Sequence, residues 1–409
     1  MKRLVLCLIA SIAPQALAQD SDVSAAIDLR FGAAGGESSW LDGGFGKLGL
    51  GSEDDLDARI ARGVLVWRPH LTWSTDVYLQ LEFDPEQDNL VGLGEAYIRY
   101  KPLTSGPMRY SVRAGVLYPP ASLEHDGVGW STTRTLTPSA INSWIGEEVK
   151  VAALEGAITA PVGDGKLTAT SAVFGYNDTS GTLLTFRGWA LHDHQIPLNG
   201  DFPLPDRSQT WWSYRPNQAH VAEPLRELDD RAGYYGKLEW RPDAPFMVTA
   251  FYYDNAGDET SRDDFQTSWK TQFANIGVVA QLTHDTQLLA QAMTGSTAWI
   301  PLANGPVAKV DDVGFRSAYL LLDHTFGSQG LAARLDAFET TDENQAYSLN
   351  STPETGWSVT AAWRNQLNTS LMWMIEGVYI DSERASRGQV GADPQQSQLQ
   401  VQTSLRLGF

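Results

Sequence analysis

Several groups of residues in this sequence carry charge at spacings suited to chemistry. Arg99, Arg109 and Arg113 follow closely on Glu82 and Glu95. If these side chains face one another across water, opposed carboxylates and guanidiniums set up a transverse field that orients dipolar solutes and biases ion passage. The plainer reading is mutual neutralisation along a wet wall. A second group, Glu124, Asp126 and Arg134, lies among Pro119, Pro120, His125, Trp130 and Trp144 in the stretch 119–146. Prolines and aromatics help anchor a loop folded away from bulk water, so this stretch suits a constriction as well as an ordinary surface loop.

Other constellations carry less. His192-Asp193-His194 offers two imidazoles on one face of an extended chain, but a zinc site needs further ligands and the sequence points to none. Asp254, Asp258, Glu259, Asp263 and Asp264 crowd one stretch without EF-hand spacing and read as an acidic rim. Trp211, Trp212 and Tyr214 could stack on sugars or serve as anchors. The chain has no G-x-S-x-G, H-E-x-x-H or P-loop, and no Ser/His pairing suggests a nucleophile; no enzyme and no cofactor is implied.

The averages exclude more than they reveal. Across 409 residues the net charge is −19, which argues against a nucleic-acid partner. The one cysteine, Cys7, rules out a disulfide scaffold or a cysteine-ligated zinc. Mean hydropathy is −0.26, as for a soluble protein. At the N-terminus, however, Lys2 and Arg3 precede an apolar run from Leu4 to Ala13 and then Ala16-Leu17-Ala18. That order is expected of a secretory signal peptide spanning 1–18 with cleavage after Ala18, too short in its apolar part to cross a bilayer.

The elements that must position the charged residues are strands. Asp76–Asp84 alternates Val77, Leu79, Leu81 and Phe83 with polar neighbours, and Leu399, Val401, Leu405, Leu407 and Phe409 share one face of the last strand. Such strands suit a sandwich, or a barrel with lipid outside and water inside. Connection lengths favour the barrel. Tight turns (Pro69-His70, 162–165, 242–245, 367–369) alternate with long acidic connections near 35–56, 119–146, 178–231, 254–266, 301–311, 341–355 and 383–396. The stretch 178–231 reads as a long external loop. Aromatics at strand ends (Trp67, Tyr100, Tyr118, Trp240, Trp299, Trp357, Trp363) would form interfacial girdles.

The expectation is therefore an all-β fold, a single transmembrane antiparallel barrel over 19–409. Sixteen strands are preferred; eighteen remain possible if 181–189 is a strand partnered by 43–51. Pairing apolar faces with lipid assigns Glu82, Glu95, Arg99, Arg109, Arg113, Lys150, Glu239, Arg334 and Asp336 to the lumen, with Asp28, Arg30, Asp76, Lys237, Arg241, Arg364 and Arg406. An Arg or Lys facing lipid at mid-depth costs ~2–4 kcal/mol, which enforces the sorting.

Residues 110–150 add a family likeness. Arg113, Gly115, Pro119, Pro120, Ser122 and Glu124 stand as they do in porins similar to the phosphate-selective porin O and P family, where an arginine-bearing strand leads into a long inward-folded loop. The resemblance implies a water-filled channel for passive diffusion of small hydrophilic solutes or ions, in a homotrimer in the outer membrane of a Gram-negative bacterium. Phe409 resembles the C-terminal signal read by the barrel assembly machinery, and the acidic rim would share divalent cations with lipopolysaccharide. A substrate-specific channel for sugars or organic or phosphate anions, and a closed-barrel adhesin or scaffold, are the alternatives. Acidic dominance leads to an expected preference for cations.

Overall fold

The computed structural model describes residues 21–50, 56–85, 87, 89–205, 218–300, 311–343 and 352–409. The 1–18 segment and the Trp211, Trp212 and Tyr214 group lie outside the described residues.

Sixteen strands close into one antiparallel barrel in which each pairs with its neighbours in sequence. They are β1 (Ser21–Gly35), β2 (Asp57–Thr72), β3 (Thr75–Phe83), β4 (Val91–Tyr100), β5 (Arg109–Leu117), β6 (Val151–Val162), β7 (Gly165–Gly175) and β8 (Gly233–Pro242). Then follow β9 (Phe246–Asp254), β10 (Lys270–Gln281), β11 (Thr286–Trp299), β12 (Asp311–Phe326), β13 (Gln329–Asp342), β14 (Glu354–Asn368), β15 (Leu371–Arg384) and β16 (Gln395–Gly408). β1 and β16 complete the ring, with Leu29 opposite Leu405 and Gly35 opposite Leu399. Phe409 N–H donates to Ala25 O at 2.9 Å and Ala25 N–H returns to Phe409 O at 3.1 Å, so the last residue finishes the seam. Closure matters because lipid offers no partner to a strand edge.

Period-two alternation turns the chain inside out relative to a soluble protein. On β13 Leu335 is 56% exposed while its neighbour Arg334 is 1% exposed. On β16 Leu399, Val401 and Leu405 face outward, and Gln398, Gln400, Gln402 and Ser404 are buried within. The long connections leave one end of the barrel, here the loop end; the tight turns, the start of β1 and Phe409 share the other, the turn end.

Several expectations change. The first tight turn is at Trp73–Ser74, because β2 runs on through Pro69 and His70 to Thr72, with a register shift after His70. The segment 181–189 is no strand: Thr182–Phe186 is a short helix, which removes the eighteen-strand alternative. Tyr118 and Trp299 are 3% exposed and belong to the interior rather than to a girdle. Tyr118 stacks on Trp130 at 4.0 Å, and Trp299 packs beside Trp269 at 5.9 Å. A terminal aromatic looks the same in sequence whether its strand ends at the lipid interface or under a folded-in loop.

Glycine 115, in the family-like segment, sits at φ 143°. A Cβ there would stand 2.2 Å from Ala96 O, so only glycine lets β5 lie this close to β4.

Replacing Leu335 with Arg places a charge on the lipid face at mid-strand. The expected loss is ~2–4 kcal/mol in reversible unfolding from lipid vesicles; an unchanged stability would contradict the assignment of faces.

Candidate functional site

Two connections fold back into the barrel. Residues 118–150 carry α1 (Ala140–Glu148), whose N-cap Ser139 accepts Asn142 N–H through Oγ at 3.3 Å. Residues 176–232 carry α2 (Thr182–Phe186) and then a strap, 187–197, buried throughout except at Asp193. The stretch read as wholly external is thus internal over its first part. Its apolar residues explain why: Leu183, Leu184, Trp189, Leu191 and Ile196 are at most 1% exposed.

Apolar packing holds this plug on one side of the lumen. Trp144 of α1 meets Phe273 at 5.3 Å, Phe315 at 5.2 Å and Trp189 of the strap at 6.2 Å. The inner faces of β9–β13 and β15 supply Phe251, Tyr253, Met293, Tyr319, Leu321, Phe338, Val378 and Ile380 to the same cluster. Each such side chain contributes roughly 1.5–3 kcal/mol when fully buried.

Polar wall residues satisfy the plug's backbone. Arg334 donates to Thr137 O at 2.7 Å and Pro138 O at 2.9 Å, and pairs with Glu124 at 3.1 Å and Asp336 at 2.8 Å. Asp336 accepts Ala140 N–H at 3.2 Å, at the start of α1. Glu376 accepts Leu136 N–H at 2.6 Å and Thr137 N–H at 3.1 Å. Glu124 also accepts Ser139 N–H at 3.0 Å, which ties the two ends of the loop's middle segment together.

A second network joins helix and strap. Glu147 of α1 binds Arg187 through both oxygens, at 2.6 and 2.7 Å, and lies 2.6 Å from His192 Nε2. Burial alone would raise the Glu147 carboxyl, but Arg187 and then His192 hold it down at about 2. Glu148 accepts Leu183 N–H at 2.8 Å and Gly181 N–H at 3.1 Å, docking α2 on α1.

The other side of the plug faces β16, β1 and β2 and is pinned by charge. Asp193 of the strap takes a bidentate pair from Arg30, one arm at 2.8 Å. Against the effect of burial, Arg30 holds the Asp193 carboxyl well below the ordinary range. Arg62 reaches Gln195 at 2.8 Å, Gly129 O at 2.6 Å and Glu82 at 2.8 Å. A β-bulge places Arg62 there: Asp28 pairs with Arg62 and Leu29 with Ile60, leaving Ala61 extra. Between strap and wall runs a cleft of about 20 Å³ lined by Ala26, Asp28, Arg62, His125, Thr132, Asp193, Gln195 and Arg406. That is room for about one water.

The residues singled out in the sequence fall into distinct environments. Glu82, Glu95, Lys150, Arg334, Asp336 and Glu124 lie on the inward side and are buried, each engaged by loop or wall. Glu95 accepts Tyr118 N–H at 2.9 Å, and Lys150 sits 4.3 Å over the Tyr118 ring and donates to Ile196 O. Arg99 pairs with Asp76 at 2.7 Å and Arg113 with Glu155 at 2.7 Å, nearer the turn end. Glu239 is shared by Lys237 at 3.2 Å and Arg241 at 2.6 Å; Arg109 is exposed at the start of β5. Asp126 and Arg134 pair at 2.6 Å, and Arg134 also reaches Gln287 at 2.7 Å. These side chains therefore do not converge on one ring.

His192, Asp193 and His194 do not converge either; His194 Nδ1 turns to Asp84 at 3.2 Å while its neighbours go to Glu147 and Arg30. Sequence reasoning passed over Arg62, which simple alternation cannot register through a bulge. It weighed Asp193 only as a metal ligand; a lone acid in an apolar run was the available signal for a strap facing a cation.

The fold has solved counterparts. The outer membrane channel DcaP of Acinetobacter baumannii superposes with a TM-score of 0.58 at 11% identity, covering 95% of this chain and 98% of that one. An anion-selective porin from Comamonas acidovorans gives 0.54 at 10% identity over 95% and 99%, and OprB of Pseudomonas putida 0.51 at 12% over 95% and 94%. The fold is a sixteen-strand porin-type barrel. Identities this low speak for the fold alone. No family model and no curated protein sequence matches the chain, so the likeness to the phosphate-selective porin O and P family rests on residues 110–150.

Glu147 and Asp193 are depressed in the folded protein, so their contribution is present above the ordinary carboxylate range and is lost as pH falls toward about 2. Between pH 5 and pH 2, expressed as about a hundredfold or greater rise in amide exchange normalised for intrinsic rate, residues 187–197 should lose protection while the barrel strands keep theirs. Equal retention by strap and strands would contradict a strap held in place by Glu147 and Asp193.

Proposed function

We propose that this chain is an outer-membrane channel of a Gram-negative bacterium that passes ions and small hydrophilic solutes passively through the cleft between strap and wall. The observation that carries this reading is the charged cleft bounded by Asp28, Arg62, Arg406 and Asp193, alongside a plug whose opposite side is sealed by aromatic packing. Apolar contacts on one side and ion pairs on the other mean the strap yields first on the cleft side. A cleft with room for about one water conducts poorly until it does. Assembly as a homotrimer, contact with lipopolysaccharide and recognition of Phe409 by the barrel assembly machinery belong to the same proposal, supported by the porin-type fold and the terminal strand.

A second reading is favoured by how completely the plug is buried: a closed barrel acting as adhesin or scaffold. Planar-bilayer recording separates the two. The wild type should show small discrete conductance steps, and Asp193→Asn, which removes the charge held by Arg30, should enlarge them about twofold or more, the scale expected when a barrier falls by under ~1 kcal/mol. Silent membranes for both proteins would support the closed barrel and end the channel reading.

A further inference from the structure

The first long connection covers the strap, and the charges sealed beneath it do not balance. Residues 36–50 fold over the strap: Leu191 N–H donates to Lys47 O at 2.9 Å, Leu48 bridges Leu191 in parallel, and Ser39 Oγ donates to Leu48 O at 2.9 Å. Trp40, fully buried, closes over Arg187 at 4.2 Å and His192 at 5.0 Å. We infer that this segment is a proton-sensitive lid, shut more firmly when Lys47 gives up its proton and loosened when Lys47 regains it.

Lys47 Nζ pairs with Glu354 at the start of β14 and donates to Arg187 O at 3.1 Å. Glu354 also takes Arg384, at the end of β15, at 3.0 Å and accepts Trp189 N–H at 3.1 Å. Arg384 donates onward to Thr185 O at 2.7 Å, and Arg187 is held by Glu147. Lys47, Arg187, Arg384, Glu147 and Glu354 each have side chains at most 2% exposed. Among the described residues this contact network sets three cations against two carboxylates. Neighbouring charges do not correct the excess. His192 shares Glu147 with Arg187, Glu148 turns to the Gly181 and Leu183 N–H groups, and Glu37 on the lid is taken by Arg387 at 2.5 Å.

A guanidinium does not lose its proton in a protein, so the Lys47 ammonium is the charge that can leave. Its loss leaves two guanidiniums on two carboxylates. Burial, opposed by Glu354 and reinforced by Arg384 and Arg187, pushes the Lys47 amine down to about 7. With the lid lifted, the amine meets water and returns to ~10.4. The open state therefore binds more protons between these values, so closure strengthens as pH rises through them and weakens as pH falls. Burial also lowers His192, which places its protonation below this range, and it raises Glu148 to about 7, the lower edge. Above pH 8 the slope belongs to Lys47. Acid then opens the lid by adding one charge to a sealed cluster that already has its acids matched.

This lid goes beyond the channel reading and is tested without conduction, by amide exchange of the full-length protein in non-ionic detergent, normalised for intrinsic rate. Protection of residues 39–48 and 187–191 should rise about tenfold between pH 8 and pH 9, the slope of one proton. Lys47→Met should erase that slope and give, at pH 8, at least the protection that the wild type reaches at pH 9. Lys47→Arg, which keeps its charge throughout, should also erase the slope but stay about tenfold or more below the wild type at pH 9. Exchange of the barrel strands reports whether each variant folds; where one does not, the sign of the wild-type slope decides. Wild-type protection that is flat or falls from pH 8 to pH 9, or a slope that survives in Lys47→Met, would overturn the lid even if the barrel conducts. The expected slope in a silent barrel would sustain it while the channel reading fails.

Discussion

Hydrocarbon provides no hydrogen-bond partner for a peptide group, and this constraint organises the whole molecule. It requires a sheet without edges, met where β1 and β16 join and where Phe409 pairs with Ala25. It also governs the interior once two connections fold inward. Irregular backbone brought inside a barrel loses bulk water, so the wall must supply donors and acceptors. Arg334, Asp336 and Glu376 do so for residues 136–140. Many charges of the inner wall are therefore fasteners for the plug rather than the lining of open water.

The asymmetry of the plug follows. Aromatic packing against β9–β13 is insensitive to charge and salt, while the Arg30–Asp193 pair and the Arg62 contacts on the other side are not. Removing one partner of a buried pair strands the other, commonly at a cost of ~3–5 kcal/mol. The cleft side is thus the side at which chemistry can move the structure. Net charge says little about what passes: the −19 of the chain includes the carboxylates of the long connections, while the turn end holds Arg68, Lys101, Arg109 and Lys166 with no acidic partner among the described residues. The expected cation preference drew on the average and not on the wall.

Strands were legible because lipid enforces alternation residue by residue: the preferred count of sixteen is the count in the closed barrel. The inward loop was legible from the Pro119-Pro120 entry and Glu124. What sequence could not carry was direction. Trp299 ends a strand as Trp357 does, yet one packs under a loop and the other faces outward at 46% exposure. The strap 187–197 has the composition of a strand, and only its burial against Phe315 and Phe338 shows it to be part of the plug. Arg62 was hidden by one extra residue, Ala61.

The central claim is that water crosses the barrel on the β16–β1–β2 side of the plug and not beneath it. Cys7 is the chain's one cysteine, so single cysteines can be read cleanly once it is replaced. Ala26→Cys borders the cleft, whereas Ser358→Cys faces inward under the plug, where Ser358 is fully buried against Asp336. A small charged thiol reagent applied during bilayer recording should cut the current of the Ala26→Cys protein and leave that of Ser358→Cys unchanged. Block of Ser358→Cys with Ala26→Cys unaffected would contradict the account.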